Sequence, residues 1–191
     1  MKNLFIIALL FLGLTANASD LLNLSISAEN EIVTVSYKNI INTSKLKLID
    51  NEGNVLFNET VEPAGYYKRS FNINNLPDGE YLVALENTSS ISYATIKKGI
   101  NGIEMISDPK NNVVFKPSYK VEDKMVMLSV TNPETTKASI SVYNQDGILV
   151  GSTTSRDLIV KASFNFAEAP TGNYIITVAI NNEIFTHEIE L

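Results

Sequence analysis

Pro77-Asp78-Gly79-Glu80-Tyr81-Leu82-Val83 and Pro170-Thr171-Gly172-Asn173-Tyr174-Ile175-Ile176 are two versions of one local design. A Pro-x-Gly turn feeds a strand that begins with Tyr and continues with β-branched and aliphatic residues. The turn reverses the chain. A tyrosine two residues after the glycine can pack its ring inward and bond its hydroxyl back to the turn it has just left. Gly79, Tyr81, Gly172 and Tyr174 are therefore the candidate structural residues of each corner.

The sequence around the two corners repeats as well. Glu29-Asn30 aligns with Glu122-Asp123, and Val33, Val35 and Tyr37 align with Val126, Leu128 and Val130, at an offset of 93. Leu46, Leu48 and Gly53 align with Ile140, Val142 and Gly147 at 94. Lys68, Ser70 and Phe71 match Lys161, Ser163 and Phe164 at 93 again. A drift of one residue confined to loops is what two copies of one fold show, and a period this long means domains and not solenoid repeats. The seam falls in the Gly- and Pro-containing stretch from Lys98 to Asn112. The expected layout is a leader at 1–18, a first domain at 19–104 and a second at 105–191.

Within each copy the hydrophobic period is two. Val33-Thr34-Val35-Ser36-Tyr37, Ser139-Ile140-Ser141-Val142 and Phe71-Asn72-Ile73 alternate apolar and polar, the pattern of half-buried antiparallel strands. Asn51-Glu52-Gly53-Asn54 and Gln145-Asp146-Gly147 read as hairpin turns, with Gly53 and Gly147 where φ must be positive. No long segment after the leader carries a helical stripe. Six or seven short strands per copy, together with the tyrosine corner, predict an all-β protein of two tandem immunoglobulin-like antiparallel β-sandwiches. The position two residues after each corner tyrosine, a cysteine in antibody domains, holds Val83 and Ile176.

The first residues predict the compartment. Met1-Lys2-Asn3 is a short basic start, Leu4–Leu14 is unbroken apolar sequence, and Ala16-Asn17-Ala18 offers small residues for cleavage after Ala18. The apolar run is shorter than the roughly 20 residues needed to span a bilayer. It reads as a cleaved secretory signal peptide, with no transmembrane segment expected after cleavage. Loss of Lys2 leaves 14 basic residues against 21 acidic ones, net −7. That balance argues against nucleic acid or anionic membrane as a partner. The chain has no cysteine, which excludes a lipoprotein anchor, thiol catalysis and zinc–thiolate sites. Each domain must rest on core burial alone, which is feasible at 80 to 90 residues.

Little in the sequence points to catalysis. The single histidine, His187, excludes a multi-histidine metal site and a second histidine for acid–base work. It lies in phase with Phe185 and Ile189, aligns with Tyr93 and reads as structural. The acids Glu29, Glu31, Glu122 and Asp123 sit at hairpin tips, where carboxylates solvate turns. Asp50-Asn51-Glu52-Gly53-Asn54 lacks the twelfth-position glutamate of a calcium loop and reads as a turn. Four Asn-x-Ser/Thr sequons, at Asn23, Asn42, Asn58 and Asn87, carry no assignment. Tyr66-Tyr67, flanked by Lys68 and Arg69, is the one candidate ligand platform. Its counterpart Ile159-Val160-Lys161 places Tyr67 toward the core and leaves Tyr66 free. No cofactor is expected and no catalytic or metal-binding residue is assigned.

Ile140–Gly147, Phe164-Asn165-Phe166 and Pro170–Ile176 of the second copy, with Leu48–Val55 and Pro77–Val83 of the first, resemble the C-terminal sorting domain of the type IX secretion system and related immunoglobulin-like modules of exported bacterial proteins. The second copy is the one expected to be sorting-domain-like. The resemblance implies an exported, non-enzymatic protein of the periplasm, cell surface or medium, with partners in the envelope or secretion machinery. The alternative is an accessory or adhesive protein that binds a carbohydrate or peptide.

Overall fold

The alternating segments form strands because each can bury one face and solvate the other. Ile32–Ile40 buries Val33, Val35, Tyr37 and Ile40, and Met125–Thr131 buries Val126, Leu128 and Val130. The computed structural model describes residues 5–6, 23–29, 31–109 and 112–191. The expected leader and its cleavage site lie outside the described residues, except for Phe5–Ile6 (β1). The chain divides into two compact units, Asn17–Val113 and Val114–Leu191, the latter together with Met1–Ala16.

In the first unit β2 (Asn23–Glu29), β3 (Ile32–Ile40) and β6 (Ala64–Asn72) form one sheet in the order β2-β3-β6. The other sheet contains β4 (Ser44–Asp50), β5 (Val55–Val61), β7 (Gly79–Glu86) and β8 (Ser90–Gly99) in the order β5-β4-β7-β8, and β9 (Gly102–Met105) pairs with β8. The second unit repeats the plan. Strands β11 (Ser118–Glu122), β12 (Met125–Thr131) and β15 (Ile159–Asn165) are ordered β11-β12-β15. Strands β13 (Ala138–Asn144), β14 (Leu149–Ser155), β16 (Asn173–Ile180) and β17 (Glu183–Glu190) are ordered β14-β13-β16-β17. Phe5–Ile6 pairs with Asn165 and Phe164 of β15, and β10 (Val113–Phe115) straddles the unit boundary.

Every pairing with a given register is antiparallel, and no helix occurs among the described residues. The protein is all-β and its two units are immunoglobulin-like sandwiches, β2-β3-β6 with β5-β4-β7-β8 and the added β9 in the first, and β11-β12-β15 with β14-β13-β16-β17 in the second. The fourth strand, β5 or β14, lies beside β4 or β13, not on the three-stranded sheet.

The β4–β5 hairpin shows why the turn sequences are as they are. Asp50 and Asn54 close it through Asp50 N–H to Asn54 O at 3.0 Å, and Gly53 N–H reaches Asp50 O at 3.1 Å. The Asp50 carboxylate accepts the N–H groups of Glu52 and Asn54 at 3.0 and 2.8 Å. Gly53 sits at φ 87°, a conformation that costs glycine least. Asn144 plays the part of Asp50 in the β13–β14 hairpin. Its side-chain oxygen accepts from Asp146 and Ile148 at 3.1 and 2.8 Å, with Gly147 at φ 73°.

Two features differ from the sequence reading. The β8–β9 hairpin crosses residues 104/105, because Gly99 pairs with Gly102 and Lys97 with Glu104. The alignment of His187 with Tyr93 is also corrected. Val83 pairs with Ala94 and Ile176 with His187, so the counterpart of His187 is Ala94 and that of Tyr93 is Thr186.

Candidate functional site

The corner tyrosines are built alike. Tyr81 and Tyr174 are each only 4% exposed. The Tyr81 hydroxyl donates to Pro77 O at 2.6 Å, and that of Tyr174 to Pro170 O at 2.8 Å. Burial, followed by the nearby charges of Asp50 and Asp78, raises the Tyr81 phenol above its usual range. The Tyr174 ring meets Phe166 edge-on at 5.0 Å. Gly79 opens β7. Gly172 precedes β16, and a Cβ there would approach Gln145 Oε1 to 3.0 Å. These residues hold a turn against a core. They present no reactive group to solvent.

The aromatic platform lies on β6. Alternation splits the Tyr66–Arg69 run between two faces. Tyr67 and Arg69 turn toward β5. There the Tyr67 hydroxyl donates to Glu59 at 3.1 Å, and the Arg69 guanidinium lies 3.5 Å from the same carboxylate and 5.0 Å from the centre of the Phe57 ring. Phe57 in turn meets Phe71 edge-on at 4.8 Å. The Tyr67 phenol is pushed up to about 12, first by burial and then by the Glu59 hydrogen bond and charge. Tyr66 is on the other face, 54% exposed, with Lys68 two residues along and Lys38 opposite it on β3. Further along this three-stranded face, Ser25–Ser36 and Thr34–Ser70 form hydroxyl pairs at 2.7 and 2.9 Å. The exposed surface is thus one aromatic ring, two ammonium groups and a row of hydroxyls.

Other residues come together that the sequence did not pair. Tyr119 of β11 stacks on His187 of β17 with ring centres 4.0 Å apart. Its phenol is pushed up to about 12 by burial, and its hydroxyl has no hydrogen-bond partner. Lys98 is buried, with Nζ donating to Asn74 O and Leu76 O at 2.6 and 2.7 Å. Asn132 is fully buried. Its amide donates to Thr136 O and Asp157 O, and its oxygen accepts from the Thr136 backbone. Apart from Asn132 and Thr136, four residues apart in one turn, these partners lie more than twenty residues apart, so spacing along the chain gave no signal for them. Among the described residues no group of three or more His, Asp or Glu could hold a metal ion, and no helix is long and apolar enough to cross a membrane.

Residues 29–100, which lie in the first sandwich, match the family model of the secretion system C-terminal sorting domain. The resemblance drawn from motifs thus holds over residues 29–100, in the first copy. A sorting domain places the protein among exported proteins, bound for the periplasm, the cell surface or the medium. No curated protein matches the chain in sequence. Among solved structures, it is similar to the BSP domain of a biofilm-associated protein, at 20% identity and TM-score 0.30 over 87% of this chain. It spans only 29% of that structure. It is also similar to a segment of two fibronectin type-III domains from chicken tenascin, at 13% identity and TM-score 0.31 over 88% of this chain and 98% of that one. A third similarity is to a β-glucuronidase of Ruminococcus gnavus, at 13% identity and TM-score 0.32 over 91% of this chain and 32% of that one.

Proposed function

We propose that this is a non-enzymatic exported protein whose two sandwiches act through protein–protein or cell-surface contacts, with its first domain connecting it to type IX secretion. The sorting-domain match over residues 29–100 carries the reading. Supporting it, the polar groups held in fixed geometry, at the corners, in the hairpins and around Lys98 and Asn132, are engaged with backbone. None converges on a place where a substrate could react. The leader at 1–18 supplies the first export step, and the mature chain begins at Ser19.

A second reading is favoured by one observation. Tyr66 with Lys38 and Lys68 presents an exposed ring between two cations, a surface suited to an acidic carbohydrate or peptide.

Fractionation of the producing bacterium tests the main reading. The protein is expected on the surface or in the medium, with mass spectrometry finding Ser19 at its N-terminus. Deleting components of the type IX machinery is expected to trap it in the periplasm. An intact Met1, or secretion unchanged in the deletion strain, would contradict the reading.

A further inference from the structure

We infer that the outer edge of β17 is a docking edge for an extended, basic segment of a partner protein, which joins the sheet as an antiparallel strand. The inference rests on the contact-protein reading above and names the surface and the chemistry of the contact.

The backbone directions along β17 follow from its last pair. Leu191 and Gly172 exchange both hydrogen bonds, N–H to O at 3.1 Å each way. In an antiparallel ladder such pairs alternate with pairs whose N–H and C=O groups point away. Ile189, His187 and Phe185 therefore bond to β16. Glu190, Glu188, Thr186 and Ile184 direct their N–H and C=O groups to the open side. Among the described residues β17 is the last strand of its sheet.

The first unit shows what such an edge accepts. The counterparts of Thr186, Glu188 and Glu190 are Tyr93, Thr95 and Lys97 of β8. Tyr93 N–H bonds to Asn112 O at 2.9 Å. Thr95 N–H bonds to Ser107 Oγ at 2.9 Å, and Thr95 O accepts from Ile106 N–H at 2.7 Å. Lys97 stands opposite Glu104 of β9. Lys97 and Thr95 are thus covered by β9 and the residues just after it, and Tyr93 by Asn112; β9 adds antiparallel and sets an acid against the base of β8.

On β17 the charge is reversed. Glu188 and Glu190 are exposed on the same face as Thr186 and Ile184, and Ile184 is 68% exposed. A strand laid along this edge places side chains directly opposite these four, where opposite charges attract and like charges repel. A second copy of β17 would bring carboxylates of its own. The complementary strand carries Lys or Arg opposite Glu188 and Glu190 and an aliphatic residue opposite Ile184. Main-chain bonds supply the affinity of such strand addition and alternate side chains the choice of partner.

The probe is the peptide of residues 102–109 carrying Glu104→Lys and Ile106→Lys, titrated into the full chain and followed by amide shifts in NMR. The expected result is saturable binding with shifts at Thr186, Glu188 and Glu190. The unmodified peptide should bind about tenfold more weakly, the size of two rim charge pairs. Thr186→Pro removes one outward N–H and leaves the ladder to β16 intact, so it should abolish binding while the circular dichroism spectrum is unchanged. If that variant does not fold, the double variant Glu188→Lys, Glu190→Lys still decides, because it should prefer the unmodified acidic peptide. No binding, or binding insensitive to the charge reversal, overturns the docking edge. Either result leaves the secretion phenotype untouched, so failure here is distinct from failure of the contact-protein reading.

Discussion

The two sandwiches agree at their corners and differ at one edge. Tyr81 and Tyr174 make the same bond to the same turn carbonyl, and Asp50 and Asn144 brace the same hairpin by the same two backbone acceptances. These are the features that let a chain without cysteine fix its turns and close a core. The outer edge of β8, by contrast, carries Lys97 and is covered by β9 and Asn112, while that of β17 is acidic and, among the described residues, open. What is repeated between the copies makes the fold. What differs faces outward, so the edge is where the second copy is free to acquire a contact of its own.

The comparison breaks most readily at the corners. Replacing either tyrosine with alanine opens a large cavity, and Tyr81→Ala and Tyr174→Ala should each cost about 3 to 5 kcal/mol in denaturant melts. Unequal losses would mean that one corner is only decorative. Asn132→Ala orphans buried backbone groups and should cost about 1 to 3 kcal/mol. Asn39, at the same offset in the first copy, is exposed but holds φ 55°, so Asn39→Ala should cost about 1 kcal/mol from backbone strain alone. Tyr174→Phe keeps the ring and strands the Pro170 carbonyl, at about 1 to 2 kcal/mol. A smaller effect appears in alkali. Tyr67 and Tyr119 have folded-state values near 12, above the ordinary phenol value of 10.0. The neutral phenol is the form the fold favours. Its stabilisation is complete below pH 10 and is lost as the pH rises from there through 12. Replacing Tyr119 with Phe should flatten that loss in melts taken across this range.

Much of this was legible in the sequence. Val33-Thr34-Val35-Ser36-Tyr37 announces a half-buried strand, and Pro77–Val83 announces the corner, because local periodicity and turn chemistry are written in adjacent residues. The β8–β9 hairpin was not legible. Gly99, Gly102 and Pro109 read as a linker, and Gly102–Met105 is a four-residue strand with no fully buried position. Aromatic likeness drew His187 onto Tyr93, whereas strand register equates it with Ala94. In the Tyr66–Arg69 run the sequence separated Tyr66 from Tyr67 but left Arg69 beside the platform, and alternation places Arg69 on the opposite face from Tyr66. The edge contrast was half visible, as Lys97-Lys98 against Glu188-Ile189-Glu190. Which backbone groups remain open depends on long-range pairing that no local pattern encodes.

Native-state amide exchange of the full chain tests the contrast between the two edges most directly. Hydrogen-bonded amides exchange only when the structure opens, whereas unpaired edge amides exchange freely. The outward amides of Tyr93 and Thr95 should be protected, and those of Thr186 and Glu188 should exchange near the rate of an open chain. Equal protection of the two sets would show that β17 is already covered and would contradict the account.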